Sequence, residues 1–234
     1  MGTLNALSFD TSIEWHTIFQ DGNQEDIKQV TIERNGQPSF TIELTQVLFI
    51  SDNLHGRGTT VWEGVILKPG TPGKPAEMTE KAKLSERVVV KDSWIDPLWK
   101  YMEGMILTIL HEKLIEGVPK LIHEQQVKAA HPSSCTNKTI MVNNSTHTIC
   151  STVDQYLYHL RVLSRIVTKP VGISITEFSC LGELLVAFLD YCVGECMSFP
   201  RDWSLMLESA HFDAVTIADI LHHDVSLGNL VISP

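Results

Sequence analysis

Alternation of apolar and polar positions is clearest at Phe40-Thr41-Ile42-Glu43-Leu44, the period of a strand with one buried face. Val47-Leu48-Phe49-Ile50 follows as a short apolar run. Upstream, Val30-Thr31-Ile32-Glu33-Arg34 alternates in the same way and runs into Asn35-Gly36, a pair suited to the tight turn of a hairpin. A short ordered segment is expected before it, over Phe9-Asp10-Thr11-Ser12-Ile13-Glu14-Trp15. Val61 to Leu67 reads as a returning strand, and Arg87-Val88-Val89-Val90-Lys91-Asp92-Ser93-Trp94 as a buried β-branched strand that ends in charge. Val118 to His123 fits a further strand, and Tyr158 to Val167 alternates as another. Helical spacing of Leu98, Met102, Met105, Ile106, Ile109 and Leu110 predicts a helix with those residues on its buried face and a stop at Glu116-Gly117. Ser179 is placed to cap a second helix, ending at Gly194, whose buried face holds Leu181, Leu184, Leu185, Phe188 and Leu189.

The breaks are equally informative. Lys68 to Pro75 holds three prolines and two glycines, which no strand ladder tolerates. Lys128 to Asp154 is rich in Ser, Thr, Asn and His without a period, and is expected to be a long exposed excursion. Lys169-Pro170-Val171-Gly172 bends the chain. Glu195 to Trp203 interrupts the second helix, and Ala214 to Leu221 leads into a last polar stretch.

Composition narrows the choices. A chain of 234 residues with 43% hydrophobic and 20% charged positions suits one large domain or a pair of lobes with a substantial core. The net charge of -10 argues against a nucleic-acid surface, which needs clustered Lys and Arg. No run of about eighteen apolar residues predicts a membrane span. The N-terminus carries neither a secretory nor a myristoylation pattern, so the expected location is intracellular, cytoplasmic or nuclear. Cys135, Cys150, Cys180, Cys192 and Cys196 are odd in number and read as buried free thiols. His131, Cys135, His147 and Cys150 share one polar segment, but their spacing matches no familiar zinc pairing. The glycosylation patterns at Asn137 and Asn144 read as accidental.

Four stretches carry candidate chemistry. In Leu54-His55-Gly56-Arg57-Gly58-Thr59-Thr60-Val61-Trp62-Glu63 two glycines stand between strand-like runs, so backbone N–H groups can approach a polyphosphate without side chains in the way. Lys91 closes an apolar strand. Glu103 falls within the apolar stripe of the first predicted helix, an expensive position unless a cation meets it. Lys91 is the natural candidate, with Glu112 as the competing carboxylate; Glu103 is preferred as a mid-helix residue facing the sheet. Near the end, Leu221-His222-His223-Asp224-Val225-Ser226-Leu227-Gly228-Asn229-Leu230-Val231-Ile232 sets a carboxylate two residues after a histidine and a carboxamide five residues later. An ionised carboxylate only accepts hydrogen bonds, as a base for a hydroxyl must, and a hard cation prefers oxygen ligands. This is the order of the protein-kinase catalytic loop. Small-molecule kinases for choline or aminoglycosides share it.

Gly56 to Glu63, Val88 to Trp94, Glu103-Gly104-Met105-Ile106-Leu107 and His222 to Asn229 together closely resemble the fungal-type protein kinase family, and Ser8 to Ile13 is similar to the segment preceding the kinase core there. The resemblance implies an α+β, protein-kinase-like bilobal fold with a complete N-lobe and only the beginning of the helical C-lobe. Residues 1–38 are then the lead-in, 39–172 the N-lobe with a polar insertion at about 128–154, and 173–234 the partial C-lobe. It further implies ATP and Mg2+, with transfer of the γ-phosphoryl group to a protein Ser/Thr hydroxyl. Gly56, Gly58 and Thr59 would cover the phosphates, Lys91 would reach them while held by Glu103, Asp224 would be the base and Asn229 a magnesium ligand. Ser226 is usual in this family, whereas His223 stands in place of Arg, a weaker and pH-dependent substitute. After Asn229 the sequence adds only Leu230 to Pro234, without the Asp of a D-F-G-like motif, so little turnover is expected of a domain truncated there. Apolar surface at Phe188, Leu189 and Val231 would then suit a covering partner. Two other readings compete: a non-catalytic, pseudokinase-like module binding a nucleotide or partner, and a small-molecule phosphotransferase. The protein substrate is not legible.

Overall fold

The computed structural model describes residues 13–20, 23–34, 36–51, 57–67, 86–115, 117–132, 139–149, 159–186, 215–220 and 231–232. It divides into two compact units, Met1–Lys100 with His123–Val167, and Tyr101–Ile122 with Thr168–Pro234.

Most of the first unit is one sheet. Strands β1 (Ile13–Gln20), β2 (Asn23–Arg34), β3 (Gln37–Ile50), β4 (Thr60–Leu67), β5 (Arg87–Ile95), β6 (Lys120–Gln126) and β9 (Val162–Lys169) follow each other in the order β1-β2-β3-β4-β5-β9-β6. The first four pairings are antiparallel. The hairpin expected at Asn35-Gly36 is present, Arg34 pairing with Gln37, and Gly36 takes a φ of 72°, which a residue without Cβ adopts at little cost; Asn35 lies outside the described residues. The lead-in supplies two full strands, β1 and β2, added to the edge of β3.

Burial follows the alternation. Phe40, Ile42 and Leu44 of β3 are buried, with Val30 and Ile32 of β2 and Val88 and Val90 of β5. Register shifts between Leu44 and Gln46 and between Val47 and Phe49 then break the pattern, because a bulge rotates the following side chains out of phase. Val47, Leu48, Phe49 and Ile50 are accordingly all exposed. Strand β9 departs from the predicted alternation. Val162 to Val167 is buried without interruption, since β9 sits between β5 and β6 and is covered on both faces. On the outer strands, Lys28 Nζ lies 4.6 Å from the ring centroids of both Trp15 and Trp62, a cation–π sandwich that ties β1, β2 and β4 together.

The polar segment after Lys128 is not a structureless excursion. β7 (Lys128–Pro132) and β8 (Thr139–Asn143) form an antiparallel hairpin, followed by a short helix α2 (Thr146–Ile149). Strands stabilised chiefly by their own ladder need no apolar period, so the sequence carried little sign of them. Asn144 is fully buried, its backbone bridging Val127 and Leu163; a buried amide is no glycosylation acceptor.

In the second unit, helix α1 (Glu103–Glu112) buries Gly104, Leu107 and Leu110. The expected face is corrected: Leu98 precedes the helix and is 88% exposed, and Met105 is also exposed. The helix also stops before Glu116-Gly117. Its end is a Schellman motif, with the Leu114 N–H on His111 O and the Ile115 N–H on Leu110 O, both 3.0 Å. The apolar contact that accompanies this motif is present, Ile115 packing with Leu110, and Ile106, Val118, Ala218 and Ile220 close around them. Leu114 carries the motif's positive φ, 60°, and its side chain is 85% exposed. Leu114→Gly therefore loses no packing and relieves a left-handed strain that outweighs glycine's entropy cost, a net gain of about 0.5–1 kcal/mol. A rise of about 2–4 °C in the melting midpoint is expected, and a fall would show that Leu114 packs in solution.

Beyond the bend, where the Lys169–Pro170 peptide is cis, β10 (Ile173–Ser174) pairs with β11 (Val231–Ile232). Ser179 is not the cap: Cys180 precedes the helix at 181–186 and its Sγ accepts the Glu183 N–H at 3.5 Å, while the Ser179 N–H and Oγ donate to Glu183 Oε2 at 2.5 and 2.7 Å. The buried face predicted there is not found, since Leu181 is 65% exposed and Leu185 is exposed beside Val186. Cys180 is an exposed thiol rather than a buried one. Phe188, Leu189, Lys68 to Pro75, Glu195 to Trp203 and the other four cysteines lie outside the described residues. Among the described residues no helix is long and apolar enough to cross a membrane.

Candidate functional site

The hairpin between β3 and β4 closes at Ile50 opposite Thr60, with the Ser51 N–H on the Thr59 carbonyl at 2.8 Å. Within it Gly58 has a φ of 52°, and a Cβ there would stand 3.2 Å from Trp94 Cδ1. Glycine is favoured on both counts: the backbone is left-handed, and a Cβ would press tightly on the indole. The Trp94 N–H reaches the Arg57 carbonyl at 2.8 Å, so the turn is fastened to the end of β5. Lys91 faces Val61, the second residue of β4, across the ladder. The structure thus places Gly58 and Thr59, in the turn before β4, and Lys91, on the adjoining β5, in one unit. Gly56, Asp224 and Asn229 lie outside the described residues.

The sequence around Lys91 explains its placement. Val88, Val90 and Asp92 are buried while Arg87, Val89 and Lys91 are less so, the two faces of one strand. Asp92 is the residue sequence reasoning overlooked. Its Oδ1 accepts from Arg165 Nε and its Oδ2 from Arg165 NH2, both at 2.7 Å, a bidentate pair in the core. The pair fixes β5 to β9 immediately beside Lys91. A lone cation inside the apolar run Val162 to Val167 was the available signal, because such a charge demands an anion.

Glu103 belongs to the second unit and is the first residue of α1, not a mid-helix residue. Met102 precedes it without a side-chain cap, so no capping residue marks the helix start, where a carboxylate is favoured by the helix dipole. Glu103 is half-buried, in line with Leu107 and Leu110, whereas Glu112 at the other end is exposed. β11 begins two residues beyond Asn229 and pairs with β10.

A family model described as fungal protein kinase matches residues 1–234, the whole chain. The chain belongs to the fungal protein kinase family. No curated protein and no solved structure matches it. The strands of this fungal protein kinase chain are consistent with a kinase N-lobe: a glycine turn joins β3 and β4, a lysine sits on β5, a helix follows, and β6 and β9 complete the sheet. That is the order in which a kinase presents its phosphate-covering loop, its phosphate-reaching lysine and the helix bearing the lysine's carboxylate partner.

Proposed function

We propose that this domain binds ATP with Mg2+ and transfers the γ-phosphoryl group to a Ser/Thr hydroxyl of a protein. The observation that carries the reading is the closeness in sequence of the glycine turn to the strand that faces Lys91: Gly58, with a φ of 52° that glycine adopts at little cost, comes two residues before β4, in which Val61 pairs with the lysine. A turn without side chains in the way offers N–H groups to phosphate oxygens, and a lysine beside it neutralises their charge. These residue types fit a triphosphate, with Gly56 and Thr59 completing the covering turn. Glu103 is assigned as the carboxylate that holds Lys91, supported by its half-buried place on the packed stripe of α1 against the exposed Glu112.

In this reading Asp224 accepts the proton of the substrate hydroxyl and orients its oxygen, and Asn229 offers its carboxamide oxygen to magnesium. The metal ion, when bound, screens the charge on the phosphates. The reading also carries an intracellular location and a partner over the apolar surface at Phe188, Leu189 and Val231.

MgATP at a hundred times its Kd is expected to stabilise the protein by about 2.7 kcal/mol. Lys91→Ala should reduce affinity at least tenfold, Glu103→Ala nearly as much, and Glu112→Ala hardly at all. Asp224→Ala should keep nucleotide binding and lower any phosphoryl transfer by about 100-fold or more. An equal thermal shift in wild type and Lys91→Ala would remove the basis for this assignment. Transfer to choline or an aminoglycoside but to no protein would redirect it to small-molecule chemistry.

A further inference from the structure

The glycine turn is fastened along one side by an aromatic residue of β5. The Trp94 N–H donates to the Arg57 carbonyl at 2.8 Å, and the Trp94 indole lies so close to Gly58 that an added Cβ would stand 3.2 Å from its Cδ1. Trp94 comes three residues after Lys91 on β5, which places the two side chains on opposite faces of the strand. The indole therefore backs the turn from the face away from the lysine.

A second tryptophan is folded back to the same place. Asp96-Pro97-Leu98-Trp99 is a tight turn closed by the Trp99 N–H on the Asp96 carbonyl at 3.2 Å, with Asp96 Oδ1 accepting the Leu98 N–H at 2.8 Å. Asp before Pro suits it: the carboxylate captures an N–H two residues on, and proline sets the backbone angle of the second position. This turn delivers the Trp99 ring to Arg57, whose guanidinium lies 5.6 Å from the ring centroid, within reach of a cation–π contact. Arg57, Trp94, Asp96 and Trp99 line one cavity, so both indoles converge on the stretch Arg57-Gly58. The base of the glycine turn is closed separately, by the Ser51 N–H on the Thr59 carbonyl.

We propose that Trp94 and Trp99 are positioning residues of the nucleotide site: Trp94 against Gly58, and Trp99 through Arg57, hold the glycine turn in the shape that receives the phosphates. This role rests on the reading of that turn as a phosphate cover and goes further in naming what sets its shape. A glycine-containing turn loses much conformational freedom when it is ordered. Where contacts formed on folding already order it, a ligand does not have to supply that free energy on binding. Neither tryptophan is assigned a contact with nucleotide. Their contribution is therefore confined to ligands that carry phosphates, and adenosine, which has none, does not register it.

The test uses the 234-residue protein and measures MgATP affinity by calorimetry, adenosine affinity by displacement of MgATP, and hydrogen exchange at the amides of residues 51 and 94, which bond to the turn. Trp99→Ala and Arg57→Ala are each expected to weaken MgATP about two- to fivefold, the worth of a cation–π contact at an exposed site. The double variant should lose no more than either single one, because both remove the same contact. Trp94→Ala should weaken MgATP at least as much. In all of them adenosine affinity should stay unchanged, and exchange at residues 51 and 94 should be faster while exchange in β2 and β3 is not. Trp99→Phe keeps an aromatic face and should recover part of the MgATP affinity. The proposal is overturned if Trp99→Ala binds MgATP as the wild type does, or if adenosine is weakened equally. It is also overturned if Arg57→Ala weakens MgATP as much in the absence of Trp99 as in its presence, which would make Arg57 a phosphate ligand. In those cases the nucleotide reading stands wherever Lys91→Ala weakens MgATP; a wild-type protein that binds no MgATP removes both.

Discussion

Replacing Arg165 by alanine is expected to destabilise the first unit by about 3–5 kcal/mol, the cost typical of breaking a buried ion pair from one side. The Arg165 side chain is 1% exposed and that of Asp92 is 9% exposed, so neither partner can be rehydrated in place. Both oxygens of Asp92 are engaged at 2.7 Å, and removing the guanidinium leaves a carboxylate among Val88, Val90 and β9 with nothing to balance it. Against a total stability of about 5–15 kcal/mol for an ordinary domain, much of the folded population is at risk. A second protein separates charge from packing. Arg165→Met combined with Asp92→Leu removes both charges at similar volume, a change that is often neutral or stabilising. Urea unfolding of the wild type, the single variant and the double variant checks this. The argument fails if the double variant is no more stable than Arg165→Ala, because lost packing would then explain the whole effect.

The same pair shows what local sequence reading reaches. Phe40, Ile42 and Leu44, and Val88 with Val90, announce their buried faces because burial on a strand repeats every second residue. The order of glycine turn, lysine strand and helix is likewise carried by local signals. Pairing across the fold is not: Asp92 and Arg165 are 73 positions apart, and only the oddity of a cation in an apolar run hints that an anion lies elsewhere. Helix α1 was visible while its ends were not. It starts at Glu103 without a capping side chain, and it ends on Leu114 in a conformation where glycine is usual, so both boundaries lack their customary residues. That moved Glu103 from the middle of the helix to its first turn. The hairpin of β7 and β8 was missed for a different reason, since its strands carry no apolar alternation for the eye to follow.

Gly64→Ala and Gly182→Ala make the second test, one substitution with opposite expected signs. Gly64 is buried in β4, opposite Leu44 on one side and Val88 on the other. An added Cβ would stand 2.5 Å from Ile42 Cγ2 and 2.9 Å from the Glu43 carbonyl oxygen. A rotamer change would move the isoleucine methyl only into a core already filled, and the carbonyl is backbone, so relief requires parting β3 from β4. Overpacking of this kind costs about 1–3 kcal/mol, and it falls in the strand that carries the glycine turn to its place opposite Lys91. At Gly182 the added Cβ meets only Cys180 Sγ at 3.7 Å, ordinary contact, within helical residues 181–186. There alanine removes backbone freedom from the unfolded chain and should stabilise by about 0.4–1 kcal/mol. Thermal unfolding of the two variants is expected to move the midpoint down for Gly64→Ala and up for Gly182→Ala. A midpoint unchanged by Gly64→Ala would mean that β3 and β4 lie further apart in solution than their register requires, and the placement of Gly58 relative to Lys91 would lose its support with it.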